Sequence, residues 1–315
     1  MFTSWRCNSL LEYILRRLLF SIPVLIGVSL ITFILLNVVP GDPVVEMLGK
    51  HADPQTVQKI RQQLGLNDPL YVQYFRFLFN AVRGDLGRSF KTGQPVTKMI
   101  LETFPTTLKL ALSSAFVAII IGLTVGIISA VKQYSFFDHF SMFIALAGIS
   151  APIFWISVIA QIYFGLYLGW LPISGYSSIK HMILPAVVLG IRFAASIARY
   201  TRSMMLDVIR QDYIRTARAK GLAEKTVIFV HALKNALIPV VTIIGMQISG
   251  LLTGSILTET IFAIPGIGRL SVWALSNRDF PLVQGTVLFT AVVFVIGNLI
   301  VDLSYAYLDP RVRLQ

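Results

Sequence analysis

Ile14–Val38 reads ILRRLLFSIPVLIGVSLITFILLNV, and after Arg16 and Arg17 no charge appears until Asp42. About 20 apolar residues in a helix cross the hydrocarbon of a bilayer, so this run is long enough to span. It is too long for a cleavable leader and no small-residue cleavage site follows, so it is expected to stay as an anchor. Lipid offers no hydrogen-bond partners to a backbone, which leaves helices or a closed barrel as spanning structures. Continuous apolar runs, rather than strict alternation, exclude the barrel.

Working outward, similar runs recur at about Thr106–Val131, Phe140–Leu168 (with Pro152 inside), Ile183–Tyr200, Leu237–Phe262 and Val283–Tyr305. The expectation is an all-α, multi-pass membrane protein with about six transmembrane helices. Composition agrees: 55% of residues are hydrophobic and 13% charged, with a mean hydropathy of +0.73. Soluble domains carry about 25% charged residues. The net charge of +12 is read as an orientation signal rather than a nucleic-acid footprint. One cysteine, Cys7, excludes an internal disulfide framework and a Cys-rich metal site. His51, His139, His181 and His231 are scattered, so no metal site is proposed.

Short loops rich in Lys and Arg stay in the cytoplasm. Arg202, Arg210, Arg215, Arg218, Lys220, Lys225 and Lys234 crowd the fourth loop, whereas the loop before it offers only Lys180. Both termini and the loop 203–236 are therefore predicted to be cytoplasmic. Three regions follow: a flank and first span over 1–38, an extracytoplasmic segment over 39–105, and a core over 106–315. The outer segment reads as helical. Asp53-Pro54 is a cap followed by a first-position proline, with Val57, Ile60 and Leu64 on one face until Gly65. Asp68-Pro69 repeats that start. Tyr71, Tyr74, Phe75, Leu78, Phe79 and Val82 then form a stripe ending near Gly84. That segment serves as an amphipathic scaffold on the outer surface, as a dock for an external protein, or as both.

The most informative polar stretch is Asp212–Pro239, DYIRTARAKGLAEKTVIFVHALKNALIP. Ile209, Tyr213 and Ala217, with Ile214 beside them, recur at helical spacing, and Arg210, Arg215 and Arg218 cover the other face. Gly221 stands where a helix stops, and Val227, Val230, His231 and Lys234 resume helically. A helix–glycine–helix under the membrane suits either a contact to a motor or anionic lipid headgroups. No G-x-x-x-x-G-K-[ST] loop occurs, so the chain has no P-loop for ATP.

Asp212–Leu222 and His231–Pro239 resemble the cytoplasmic loop of permease subunits in binding-protein-dependent ABC importers. Against the family's E-A-A-x-x-x-G core, this chain has Arg215-Thr216-Ala217, and its proline falls late, at Pro239; both departures match the peptide and nickel branch. Further matching runs are Tyr13–Leu18, Pro40–Pro43, Gly84–Gly87, Pro152–Trp155, His181–Ala186, Thr258–Phe262, Pro265–Arg269 and Asp309–Arg313. The resemblance implies a type I importer permease of the B-type, with a helical extracytoplasmic insert. It further implies a paralogous C-type permease, two cytoplasmic ATPases that hold ATP and Mg²⁺, and an external substrate-binding protein. The chain itself would bind no cofactor, catalyse nothing, and sit in a bacterial inner membrane. Asp212, Tyr213, Ile214, Arg215, Thr216, Ala217, Arg218, Ala219, Lys220, Gly221 and Leu222 would form the ATPase-coupling segment. Dipeptides and longer peptides lead as cargo, with glutathione, nickel complexes and haem behind.

Charged groups within spans are costly in lipid and face a cavity or partner. Arg192, mid-way along the fourth span, reads as a path-lining cation for a peptide carboxylate or as one member of a pair with a neighbouring subunit. Glu259 reads as part of an outer gate or as a capping and packing group. Lys109 can snorkel to the outer boundary, and Asp302 reads as an arginine partner. Gly122 and Gly126 allow close helix approach, within the chain or to a partner permease. An ion-coupled secondary carrier would place acids at the bilayer midplane or break helices in matched halves, and the sequence has neither. An intramembrane enzyme would need G-x-S-x-G or G-x-G-D, which are absent; a passive channel gives no reason for the 212–239 stretch.

Overall fold

The computed structural model describes residues 4–38, 43–48 and 53–308. Pro40, Gly41, Asp42, His51 and the run Asp309–Arg313 lie outside them. In chain order the helices are α1 (Ser4–Val38), α2 (Pro43–Leu48), α3 (Pro54–Gln63), α4 (Leu70–Val82), α5 (Val96–Val131), α6 (Phe136–Ser150) and α7 (Ile153–Ala160). After α7 a π-helical segment runs over Gln161–Tyr167; then follow α8 (Lys180–Ile209), α9 (Asp212–Ala219) and α10 (Glu224–Thr226). A second π-helical segment, Val227–Ala232, leads into α11 (Leu233–Leu252), before α12 (Ile256–Ile261), α13 (Ile267–Ser276) and α14 (Phe280–Leu308). Among the described residues five helices are long and apolar enough to cross a membrane, and a sixth crossing requires α6 and α7 with its extension to count together.

The chain forms two compact units: residues 1–107 with 265–295, and residues 108–264 with 296–315. In the first, α1 and α4 meet where the Tyr74 hydroxyl lies 2.9 Å from the Ser29 hydroxyl and 3.2 Å from the Ile26 carbonyl. Phe33 stacks on Tyr74 at a tilt, with centroids 5.4 Å apart. Val96 and Ile100 pack against Ile267, Ala274, Leu282 and Val283. Buried Asp279 accepts from the Ser89 hydroxyl and from Phe90 N (3.0 Å), which fixes the 84–95 loop to the α13–α14 corner. Most of the apolar surface of α1 is exposed, as a lipid-facing helix requires.

Asp53 caps α3 as expected, accepting from Thr56 N. Asp68 does not cap α4; Pro69 holds that position and the Asp68 carboxylate pairs with Arg76. The predicted α4 stripe also divides: Tyr74 is buried, while Tyr71, Phe75, Phe79 and Val82 are exposed.

In the second unit α8 is the central, most buried span. Small residues bring it against α5 in parallel. A β-carbon at Gly122 would stand 2.9 Å from the Ala194 carbonyl, at Gly126 2.7 Å from that of Ala198, and at Gly190 2.8 Å from that of Ser114. The G-x-x-x-G pair thus serves packing within the chain. Helices α11 and α14 meet in the same way, antiparallel, with Gly245 beneath Val301 and Gly297 beneath Ser249.

Three span expectations are corrected. The third run is not one span: α6 and the α7 segment bend by 104° around Ala151-Pro152. A proline removes a ladder hydrogen bond, and the residue before it avoids the helical region; Ala151 is extended, with ψ 135°. The fifth span begins near Glu224 and ends at Leu252 rather than Phe262, because Gly254 takes φ +100°. The second span, α5, begins at Val96 rather than near Thr106, with Pro105 inside it.

Candidate coupling site

The loop between α8 and α11 is built by its backbone. Arg210 ends α8, and Gln211 turns extended (ψ 149°), its carbonyl accepting from Ile214 N and Arg215 N as α9 starts. Asp212 sits in the first turn and Arg218 in the last, both favourable to the helix dipole. The exit is a paired turn: Gly221 N donates to the Arg218 carbonyl (2.9 Å) and Leu222 N to that of Ala217 (3.4 Å). Such a turn requires a left-handed residue just past the cap, and Gly221 supplies it at φ +74°.

One face of α9 is held by the fold. Ile214 is 0% exposed and Ala217 nearly so, both in a cluster with Met205, Val227, Ile228, Ala232 and Ala130. Asn235 donates to the Tyr213 hydroxyl at 2.7 Å, which ties α9 to the base of α11. Arg218 makes a two-point contact with Glu224 (3.1 and 2.7 Å), which bridges the glycine turn. That hydrogen bonding holds the Arg218 guanidinium above its ordinary value. The opposite face is open: Asp212, Arg215 (78% exposed), Thr216, Ala219, Lys220, Gly221 and Leu222 reach solvent. Of the eleven predicted coupling residues, Asp212–Ala219 form α9 and Lys220, Gly221 and Leu222 the turn that follows it; Ile214 and Ala217 are buried and the others are exposed. Tyr213, expected on the buried face, is half exposed and acts through its hydroxyl.

The other two predicted residues occupy different environments. Arg192 is exposed on α8, whereas Glu259 is fully buried on α12 with its carbonyl accepting from Ile264 N (2.8 Å). Sequence reasoning missed Asp138, which is 1% exposed and receives Arg202 at 2.6 and 2.7 Å. Asp138 also accepts from Tyr134 N, while Ser135 Oγ accepts from Asp138 N. The clue was Ser135-Phe-Phe-Asp138, a capping signature before an apolar run. This pair joins α6 to the last third of α8, two turns before α8 ends at Ile209.

The family described as binding-protein-dependent transport system inner membrane component matches residues 122–314, and the corresponding N-terminal family matches residues 10–111. The dipeptide transport system permease protein DppB of Alkalihalophilus pseudofirmus is 46% identical over 96% of this chain and 100% of its own length. The di/tripeptide permease protein DppB of Pseudomonas aeruginosa is 44% identical over 97% and 100%. The glutathione transport system permease protein GsiC of Escherichia coli is 44% identical over 96% and 99%. Among solved structures, an inward-facing methionine ABC transporter, MetNI, superposes with a TM-score of 0.57 at 19% identity, covering 67% of this chain and 96% of that one. That last likeness concerns the fold.

Proposed function

The chain belongs to the binding-protein-dependent transport system inner membrane components, and from that premise we propose that it forms half of the path by which peptides enter a bacterium at the expense of ATP. It is a multi-pass inner-membrane subunit of an ABC importer and not itself an enzyme; ATPase and substrate-binding partners belong to such a system. The finer reading is that a paralogous C-type permease supplies the other half of the path. Two ATPases carrying ATP and Mg²⁺ grip α9 from the cytoplasm, where both termini also lie.

The observation that supports this reading is the split character of α9. Ile214 and Ala217 seat one face immovably on the chain, while Arg215, Thr216 and Lys220 offer the other to a partner. A push on the displayed face therefore reaches α8 and α11 without being absorbed by a loose loop. Arg218, satisfied by Glu224, stiffens the turn. Peptide cargo is supported by the names of the relatives, and glutathione, itself a tripeptide, falls within the same class.

The test is reconstitution of the complete transporter in proteoliposomes with a labelled dipeptide. Uptake is expected only with the binding protein outside and hydrolysable ATP at the ATPases. Accumulation by this chain without ATPases, driven by a proton or sodium gradient, would overturn the proposal.

A further inference from the structure

One face of α8 changes character half way along. At about 100° per residue, Arg192, Ser196, Arg199, Ser203, Asp207 and Arg210 fall in a single sector of about 80°. Pro185 and Leu189 occupy the same sector one to two turns earlier and are buried. From Arg192 onward the sector opens: five of its six polar residues are exposed and Ser196 is half exposed. Among the described residues neither Arg192 nor Arg199 has a carboxylate partner in this chain; the Arg199 guanidinium lies 6.0 Å from the ring of its neighbour Tyr200. Over the same stretch Ala194, Ala195, Ile197, Ala198, Thr201 and Met205 are buried in the second unit, so the stripe is a polar side that the chain leaves open.

Lipid is not what covers that side. An arginine near the middle of a spanning helix costs roughly 3 kcal/mol or more against hydrocarbon, and here Arg192 stands near the middle of α8 with Arg199 two turns further on, Ser196 between them and Ser203 beyond. We infer that this stripe lines the inner half of the solute path, and that Arg192 and Arg199 are successive resting points for the carboxylate of a peptide. The inference rests on the importer reading and adds to it the chemistry of the path. A guanidinium presents a planar fork that matches a carboxylate at two points. Seven residues of helix separate the two forks by about 10 Å, close to the length of an extended tripeptide at roughly 3.3 Å per residue. A cargo molecule can thus engage the second arginine before leaving the first. Ser196 and Ser203 offer neutral hydrogen bonds along the way. Asp207, exposed one turn below Ser203, lowers the local positive potential, so that the carboxylate is released rather than retained.

The experiment replaces Cys7 with alanine and places single cysteines at Ser196 and Ser203 in the complete transporter. Labelling of this chain by an anionic and by a cationic methanethiosulfonate reagent of equal size is read by mass spectrometry. Both positions are expected to react, the anionic reagent faster by about tenfold, the scale of one hydrogen bond to a charged group. Excess dipeptide should slow labelling. The preference at Ser203 should vanish in Arg199→Gln and persist in Arg199→Lys, while Ser196 keeps the share that Arg192 supplies. No reaction at either cysteine, as when a partner helix or lipid covers the stripe, overturns the inference. So does equal reactivity with the two reagents, or a preference untouched by Arg199→Gln. Labelling needs no turnover, so failed ATP-driven uptake alongside normal labelling would strike the importer reading, whereas normal uptake with unreactive or unselective cysteines would overturn this inference alone.

Discussion

Gly221 carries the mechanical demand at its most local. A β-carbon there meets nothing within 4 Å, so only the backbone angle of +74° objects to substitution. Gly221→Ala is expected to cost about 1 kcal/mol and to leave uptake largely intact. Gly221→Pro cannot reach a positive φ and loses the hydrogen bond to the Arg218 carbonyl. At about 3 kcal/mol or more, the native turn becomes roughly a hundredfold less populated, and ATP-driven uptake should fall on that scale while membrane insertion, followed by immunoblotting, is unchanged. The two arginines of α9 divide the work. Reversing Arg218 places two carboxylates in contact across the turn, so Arg218→Glu reports on the Glu224 pair rather than on a partner. Arg215 is 78% exposed, with Asp212 3.7 Å away on the same turn of α9. Arg215→Glu should leave thermal stability within about 0.5 kcal/mol yet weaken co-purification of the ATPases, and an unaffected complex would argue against contact on this face. The turn, its glycine and the apolar pair Ile214 and Ala217 were legible in the sequence because each is a matter of local spacing. Arg218's partner was not, since a side-chain pair across a turn depends on the direction in which the chain leaves it.

Element packing depends on small residues and on the buried pair Asp138–Arg202. At Gly126 a β-carbon would lie 2.6 Å from the Thr201 β-carbon and 2.7 Å from the Ala198 carbonyl, and a carbonyl cannot swing aside. Gly126→Ala is therefore expected to lower stability by about 1–3 kcal/mol. Gly148→Ala, where the nearest atom is 4.0 Å away, should be nearly neutral. Thermal denaturation of the two variants in detergent separates these outcomes, and equal behaviour would refute the packing argument. The Asp138–Arg202 pair gives a sharper test, because Asp138 is 1% exposed and Arg202 only partly so. Removing one partner of a buried pair costs about 3–5 kcal/mol, most of it the stranded charge. Asp138→Ala should therefore destabilise more than the double Asp138→Ala/Arg202→Ala variant in the same assay. Helix lengths were readable from apolar runs, but the bend of 104° at Ala151-Pro152 was not. Hydropathy does not distinguish a straight crossing from a doubled-back pair, and only the packing of α6 on α8 and α7 on α12 decides it.

At the scale of the whole molecule, charge distribution predicts a definite topology. Trypsin should cut after Arg215 or Lys220 in inside-out vesicles and spare them in spheroplasts; cleavage from the outer face would reverse the proposed orientation. The net charge of +12 acts here through where the basic residues lie between spans and not through attraction to a polyanion. The all-α class, the apolar span at Ile14–Val38, the α9–glycine turn and the lack of a P-loop were all determined by the sequence alone. Each follows from composition, periodicity or a single backbone requirement, which neighbours in the chain suffice to express. The burial of Glu259, the ion pair between Asp138 and Arg202, and the opening of the α8 face below Leu189 were decided only by the tertiary structure. These depend on which helix covers which side of another, and residues far apart in the chain settle that together.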